Sequence, residues 1–340
     1  MTVIVNVRKG VDERKLMVAA RLLREGRLVA FPTETVYGLG ADALNAGAVR
    51  RIFEVKGRPA DNPLIVHIAD MEWLGKLARL VPETALTLAR RFWPGPLTLV
   101  LPAEDRVPAV TRGGLDTVAV RMPAHPVALR LIELAERPVA APSANISGRP
   151  SPTDAGHVVE DFYGRIDCIV DGGPTPIGVE STVLDLTGER PVLLRPGGLP
   201  LEEVERVVGP VEVHPAVRGQ LADVAKSPGM KYRHYSPRAR VILVEGDREK
   251  VTARIDELVD ELKKKGLMVG VMAMERHRAD AFFYLGSSIE EVARNVFRGL
   301  RELDRRGVDV IVVEGVEEKG LGMAVMNRLR KASGYTVLKA

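Results

Sequence analysis

Residues 31–41 read FPTETVYGLGA, and one helix further on residues 56–63 read KGRPADNP. The apolar run from Leu28 to Phe31 enters the first stretch as a strand, and Pro32 ends its ladder because proline fixes φ and lacks an N–H. Thr33, Glu34 and Thr35 then set three oxygen-bearing side chains at the mouth of that strand. Gly38 and Gly40 give a backbone that turns tightly or lets a ligand approach closely. Ligands collect where the strands of open α/β sheets end in such loops. On this stretch alone, an ordinary strand–turn–helix connection is the alternative.

The second stretch adds charge to that loop. Ala48, Val49, Ile52 and Phe53 share one helical face, Asn45 is placed to cap the N-terminus, and Gly57 ends the helix after Lys56. Lys56 and Arg58 fit simple complementation of the helix dipole. Pro59 and Pro63, however, bracket a stiff loop that also carries Asp61 and Asn62, ahead of a strand over 64–68 containing His67. Two cations and an amide on a rigid loop suit phosphate or carboxylate recognition.

Composition bounds the rest. At 340 residues, two domains are the natural expectation. The chain is 46% hydrophobic and 28% charged, as soluble globular proteins are, and with 4% aromatics its cores rest on Val, Leu, Ile and Ala. A net charge of +4 permits an anionic partner without requiring one. The single cysteine, Cys168, lies in an apolar run, which excludes an intramolecular disulfide and favours buried packing over a catalytic thiol. Residues 1–25 are charged throughout, and no apolar run approaches the roughly 20 residues that span a bilayer. A cytoplasmic protein with no membrane partner is expected.

Along the chain, helices read over 12–26, 46–56, 82–93 and 127–135, with Thr153 capping a short one. Strands read over 2–7, 28–31, 64–68, 96–101, 117–122, 139–141, 166–170, 182–186 and 192–194. This mixture predicts an α+β-like twisted mixed sheet flanked by helices over 1–208. Over 209–240 the periodicity dissolves into a basic linker or lid. Its later half carries Lys226, Lys231, Arg233, Arg238 and Arg240 with no acid, plus Tyr232, His234 and Tyr235. Residues 241–340 alternate strand and helix, which predicts a small doubly wound, Rossmann-like α/β domain without a GxGxxG fingerprint.

Neither HExxH, CxxC nor Walker A appears, and the six histidines are scattered, so no metal site is predicted. The first domain's loops gather hydroxyls, amides and cations instead: a site that binds an anion-rich substrate and stabilises developing negative charge.

FPTETVYGLGA, KGRPADNPL, APSANISG, ESTVLD and LLRPGG together resemble the YrdC-type module of threonylcarbamoyl-adenylate synthases. SPGMKYRHYSP and GLGMAVMNRLRKAS resemble the longer, two-domain form of that family. The resemblance implies that L-threonine, bicarbonate or carbon dioxide, and ATP give threonylcarbamoyl-AMP and pyrophosphate. A separate complex would then transfer the threonylcarbamoyl group to tRNA, which itself is a further candidate partner. Magnesium would ride on the phosphates. By matching motif positions, Thr35, His67, Arg121, Ala141 and Ser181 would hold threonine. Arg58, Asn62, Thr117, Ser143, Ser151 and Arg195 would hold ATP, with Tyr235 closing over it from the linker. Lys56 and Arg58 would stabilise carbamate and phosphoryl charge, and Thr33 and Asn145 would serve the bicarbonate. Glu34 and Glu180 read as partners for neighbouring cations.

Two other classes stay open on the residues alone. An RNA-binding module would use a basic concave surface without chemistry, but aromatics interleaved with basic residues are sparse in the first domain. A phosphosugar lyase or synthase would need paired acids for magnesium, and only Glu34 and Glu180 stand near the motifs.

Overall fold

The computed structural model describes residues 1–219, 225–227 and 235–340. Local chemistry accounts for its first helices. Asp12 accepts from Lys15 N and opens Glu13–Arg24, which buries Leu16, Ala19, Ala20 and Leu23. Asn45 likewise caps Ala46–Lys56 through Ala48 N, and Gly57 closes that helix at φ 62°, ψ 38°. Lys56 and Arg58 therefore flank a left-handed residue and leave the helix in fixed directions.

The chain divides into two compact units, Met1–Ser147 with Ser151–Lys231, and Gly148–Pro150 with Tyr232–Ala340. In the first, the described strands form one mixed sheet. Its spatial order begins Val3–Asn6, Cys168–Asp171, Val29–Phe31, Gly38–Asp42, Val139–Ala140 and Ile65–His67. It continues Thr117–Arg121, Leu97–Pro102, Thr182–Asp185, Val192–Arg195 and Glu212–Val213. Helices Glu13–Arg24 and Pro126–Ala135 pack on one another and share a core with Val29, Phe31, Val139 and Cys168. Burial pushes the Cys168 thiol up to about 12, so it stays protonated as a packing residue.

In the second unit all described strands run parallel, in the order Ala281–Tyr284, Val269–Ala273, Val310–Glu314, Arg240–Glu245, Val337–Lys339. Helix Arg248–Lys264 buries Val251, Ile255, Leu258, Val259 and Leu262 against this sheet, and helices Ile289–Arg305 and Leu321–Ala332 pack together. The expected mixed sheet and the doubly wound sheet are both present.

Several local expectations are corrected. Gly38 and Gly40 lie within the strand Gly38–Asp42, antiparallel to Val29–Phe31, and make no turn. A Cβ on Gly40 would stand 2.7 Å from Phe31 and 2.8 Å from Val139, so this glycine answers to side-chain crowding. Asp154, not Thr153, caps the short helix Ala155–Phe162. The strands Ala281–Tyr284 and Val337–Lys339 and the helix Leu201–Val208 escaped the sequence reading. Within the aperiodic 209–240, Glu212–Val213 pairs with Val192–Arg195, and Ala216 and Ala225 enter a core with Ile65 and Leu194. Those elements are too short to show a period; tertiary pairing makes them.

Gly57 offers a direct check. No heavy atom lies within 4 Å of an added Cβ, so Gly57→Ala introduces backbone strain without a clash. We expect a loss of about 1 kcal/mol. In denaturant titration the midpoint should fall and the slope stay constant.

Candidate active site

Three polar clusters lie in the first unit. The first surrounds Arg121, which ends the strand Thr117–Arg121 in register with His67. This residue is 3% exposed. Nη1 donates to Thr35 Oγ1 at 3.0 Å and Nε to Gly95 O at 3.3 Å, while Nη2 stands 2.7 Å from Glu34 Oε1. Thr33 Oγ1 lies 2.8 Å from Thr35 Oγ1 and donates to Val36 O, which folds segment 33–36 on itself. Ala141 is buried, and its N–H donates to Ile65 O.

His67 is buried beside this cluster. Its Nδ1 is 3.2 Å from Ile65 O, and the ring also meets the Val139 backbone on the neighbouring strand. Burial, with the Arg121 charge beside it, pushes the imidazole down from 6.5 to about 3, and it is neutral at neutral pH.

The second cluster joins the loop 142–148 to the helix Ala46–Lys56. Lys56 is 2% exposed, and its Nζ donates to Ser143 O at 2.6 Å and Asn145 O at 2.5 Å. Asn145 Nδ2 donates to Ile146 O, and Gly38 forms an isolated bridge with Ser143. Arg58 Nη2 donates weakly to Asn62 O and Pro63 O, at 3.4 and 3.3 Å. The Asn62 side chain is buried, yet neither its Oδ1 nor its Nδ2 has a partner among the described residues. Most buried amides in folded proteins are paired, which sets this one apart.

The third cluster centres on Ser181. Arg195 Nε and Nη2 both donate to Ser181 O, and Nη2 also donates to Ser181 Oγ at 3.1 Å. Thr98 Oγ1 lies 2.7 Å from the same hydroxyl. An added Cβ at Gly197 would fall 2.3 Å from Ser181 C, so only glycine lets the 196–198 turn close over Ser181. Ser151 donates to Glu180 Oε1 at 2.7 Å. The segment before Ser181 ties this cluster to the first: Ile177 N and Gly178 N donate to Glu34 O and Thr35 O.

Of the sequence-derived candidates, Thr33, Thr35, His67 and Arg121 thus share one cluster, and Ala141 is buried against Ile65 nearby in the sheet. Lys56, Ser143 and Asn145 share another group, and Ser181 and Arg195 a third. Thr117 is half-buried at the start of its strand. Glu34 does face a cation, as expected, and Glu180 accepts from the Ser151 hydroxyl. Tyr235 is buried in the second unit, 5.0 Å from the Phe297 ring with the Arg328 guanidinium 5.6 Å from its own. Lys231, Tyr232, Arg233 and His234, on which the lid expectation also drew, lie outside the described residues. Thr98 was missed; its one signal is a hydroxyl within the apolar run PLTLVL. Among the described residues, no group of three or more His, Cys, Asp or Glu is placed to hold a metal ion.

A mixed sheet whose loops hold buried cations, hydroxyls and an unpaired amide defines a site for a polyanionic substrate. The family model described as telomere recombination, which spans Sua5, YciO and YrdC, matches residues 21–197. That of the threonylcarbamoyl-AMP synthase C-terminal domain matches residues 199–334. The chain belongs to this Sua5/YrdC family, in its two-domain form. It is 66% identical over 339 residues to threonylcarbamoyl-AMP synthase of Pyrococcus abyssi, covering 100% of both chains. The enzyme of that name from Bacillus subtilis is 50% identical over 335 residues, 96% of this chain and 95% of the other. A crystal structure of P. abyssi Sua5 complexed with L-threonine superposes with TM-score 0.99, covering 100% of both chains. In none of the described helices is there a segment long and apolar enough to cross a membrane.

His67 links this site to acid stability. Between its ordinary 6.5 and its folded value of about 3, the unfolded chain binds a proton that the folded chain refuses. Stability therefore rises with pH in that window and falls as pH drops through it, by up to about 1.4 kcal/mol per pH unit. His67→Gln should remove that component. Titrating the unfolding free energy of both proteins from pH 7 to pH 3 checks it: the variant's curve should be the flatter.

Proposed function

We propose that this protein is an L-threonylcarbamoyladenylate synthase. The amine of threonine captures carbon dioxide or bicarbonate to give N-carboxythreonine. A carbamate oxygen then attacks the α-phosphorus of ATP, and pyrophosphate leaves. The nucleophile belongs to the substrate, so the protein has only to position groups and neutralise charge. The observation that carries this reading is the division of the cations. Arg121 is enclosed with hydroxyls and a neutral imidazole, whereas Lys56, Arg58 and Arg195 accompany an unpaired amide and the hydroxyl loops.

In this reading Arg121 pairs with the threonine carboxylate, and Thr35, Ala141 and Ser181 line the amino acid. His67, a neutral imidazole here, lines the amino acid with them. Arg58, Asn62, Thr117, Ser143, Ser151 and Arg195 hold the nucleotide. Thr33 and Asn145 serve the bicarbonate. Lys56 keeps the 143–145 loop in place and lends its charge to the carbamate. Ser181 lines the amino acid while its hydroxyl accepts from Arg195, which holds the nucleotide. Glu34 faces the Arg121 guanidinium and Glu180 accepts from Ser151, and magnesium rides on the phosphates. The labile adenylate passes in the cytoplasm to a separate complex that modifies tRNA.

Pyrophosphate should appear only when ATP, threonine and bicarbonate are present together. Release of ADP and phosphate, or turnover indifferent to threonine, would overturn the assignment. Salt-sensitive RNA binding without turnover would favour the RNA-binding module instead. Arg58→Ala should lower turnover by about a hundredfold or more at unchanged melting temperature, because a donor aimed at developing charge is lost.

A further inference from the structure

The ion pair between Arg121 and Glu34 is unusual for a structural one. The side chains are 4% and 7% exposed, and Arg121 Nη2 is 2.7 Å from Glu34 Oε1. Yet neither Glu34 oxygen, nor Arg121 Nη2, makes an aligned hydrogen bond among the described residues. A carboxylate recruited to satisfy a buried guanidinium normally forms the two-pronged fork. Here the rest of Arg121 is held by Thr35 and Gly95, and the Glu34 lone pairs stay unused in a site where unmade hydrogen bonds are costly.

An α-amino acid presents an anion and a cation on the same carbon. Arg121 matches the anion, so a carboxylate 2.7 Å from that guanidinium lies where the substrate's other charge must fall. We propose that Glu34 receives the α-ammonium of threonine and takes its proton as the amine becomes a nucleophile. One N–H bond breaks, its electron pair remains on nitrogen as the lone pair, and the proton moves to a Glu34 oxygen. A carboxylate and an ammonium become a neutral acid and a neutral amine, with no change in total charge. The other groups facing this point are poorer acceptors: Arg121 is cationic, and burial lowers the basicity of both His67 and His125. This inference rests on threonine as substrate.

The test compares threonine with (R)-3-hydroxybutyrate, which is threonine with hydrogen in place of the ammonium. Calorimetry on the full chain should show threonine binding tighter, by about ten- to a hundredfold. Glu34→Gln should abolish that preference while still binding hydroxybutyrate. It should also lower pyrophosphate release at saturating threonine by about a hundredfold. If Glu34 merely orients Arg121, both ligands weaken by the same factor and the preference survives, which overturns the proposal. An unchanged rate at saturating threonine overturns the proton transfer. Should Glu34→Gln fail to fold, wild-type protein that binds both ligands equally overturns the inference by itself, and Glu34→Asp, with its shortened carboxylate, should show a reduced preference. Wild-type protein that binds hydroxybutyrate but not threonine, or neither, overturns the substrate reading along with this one.

Discussion

A guanidinium buried at the end of a central strand is the constraint around which the first unit is built. Arg121 is charged at any physiological pH, and an unpaired charge in that position would be prohibitive. Thr35, Gly95 and Glu34 answer it from two separate segments, so the 32–36 loop and the 94–96 turn must both converge on one point. The same charge helps to keep His67 neutral. One buried cation thus decides the protonation of its neighbours as well as the path of the chain.

The second organising contact is the grip of Arg195 on Ser181. Three donations to one residue, backed by Thr98 and by a glycine turn no side chain could enter, leave the serine hydroxyl little freedom. Segment 177–182 carries this rigidity to Glu34 and Thr35 through backbone hydrogen bonds. The Arg121 and Ser181 clusters are therefore held by one short piece of backbone.

The helices that carry site residues were legible because their signals are local. Asn45 and Asp12 cap the helices they were expected to cap, and Gly57 stops the helix that delivers Lys56. The turn expected at Gly38 and Gly40 is absent, because glycine reports that a Cβ is unwelcome without reporting why. At Gly40 the reason, Phe31 and Val139 on neighbouring strands, is tertiary. The same holds for Glu212–Val213, a strand only because Val192–Arg195 offers it a partner.

By itself, the sequence determined the residue types available for chemistry, the helices and strands long enough to show a period, and the ordered motifs that place the chain in its family. These are properties of contiguous residues, readable without knowing what lies across the fold. Only the tertiary structure decided that Lys56 is held by two loop carbonyls, that Glu180 answers Ser151, that Thr98 backs Ser181, and that the Glu34 carboxylate stands beside Arg121 with its lone pairs unspent. Each joins residues far apart in the chain through directional contacts a few ångströms long, and such contacts exist only once packing has removed the alternatives.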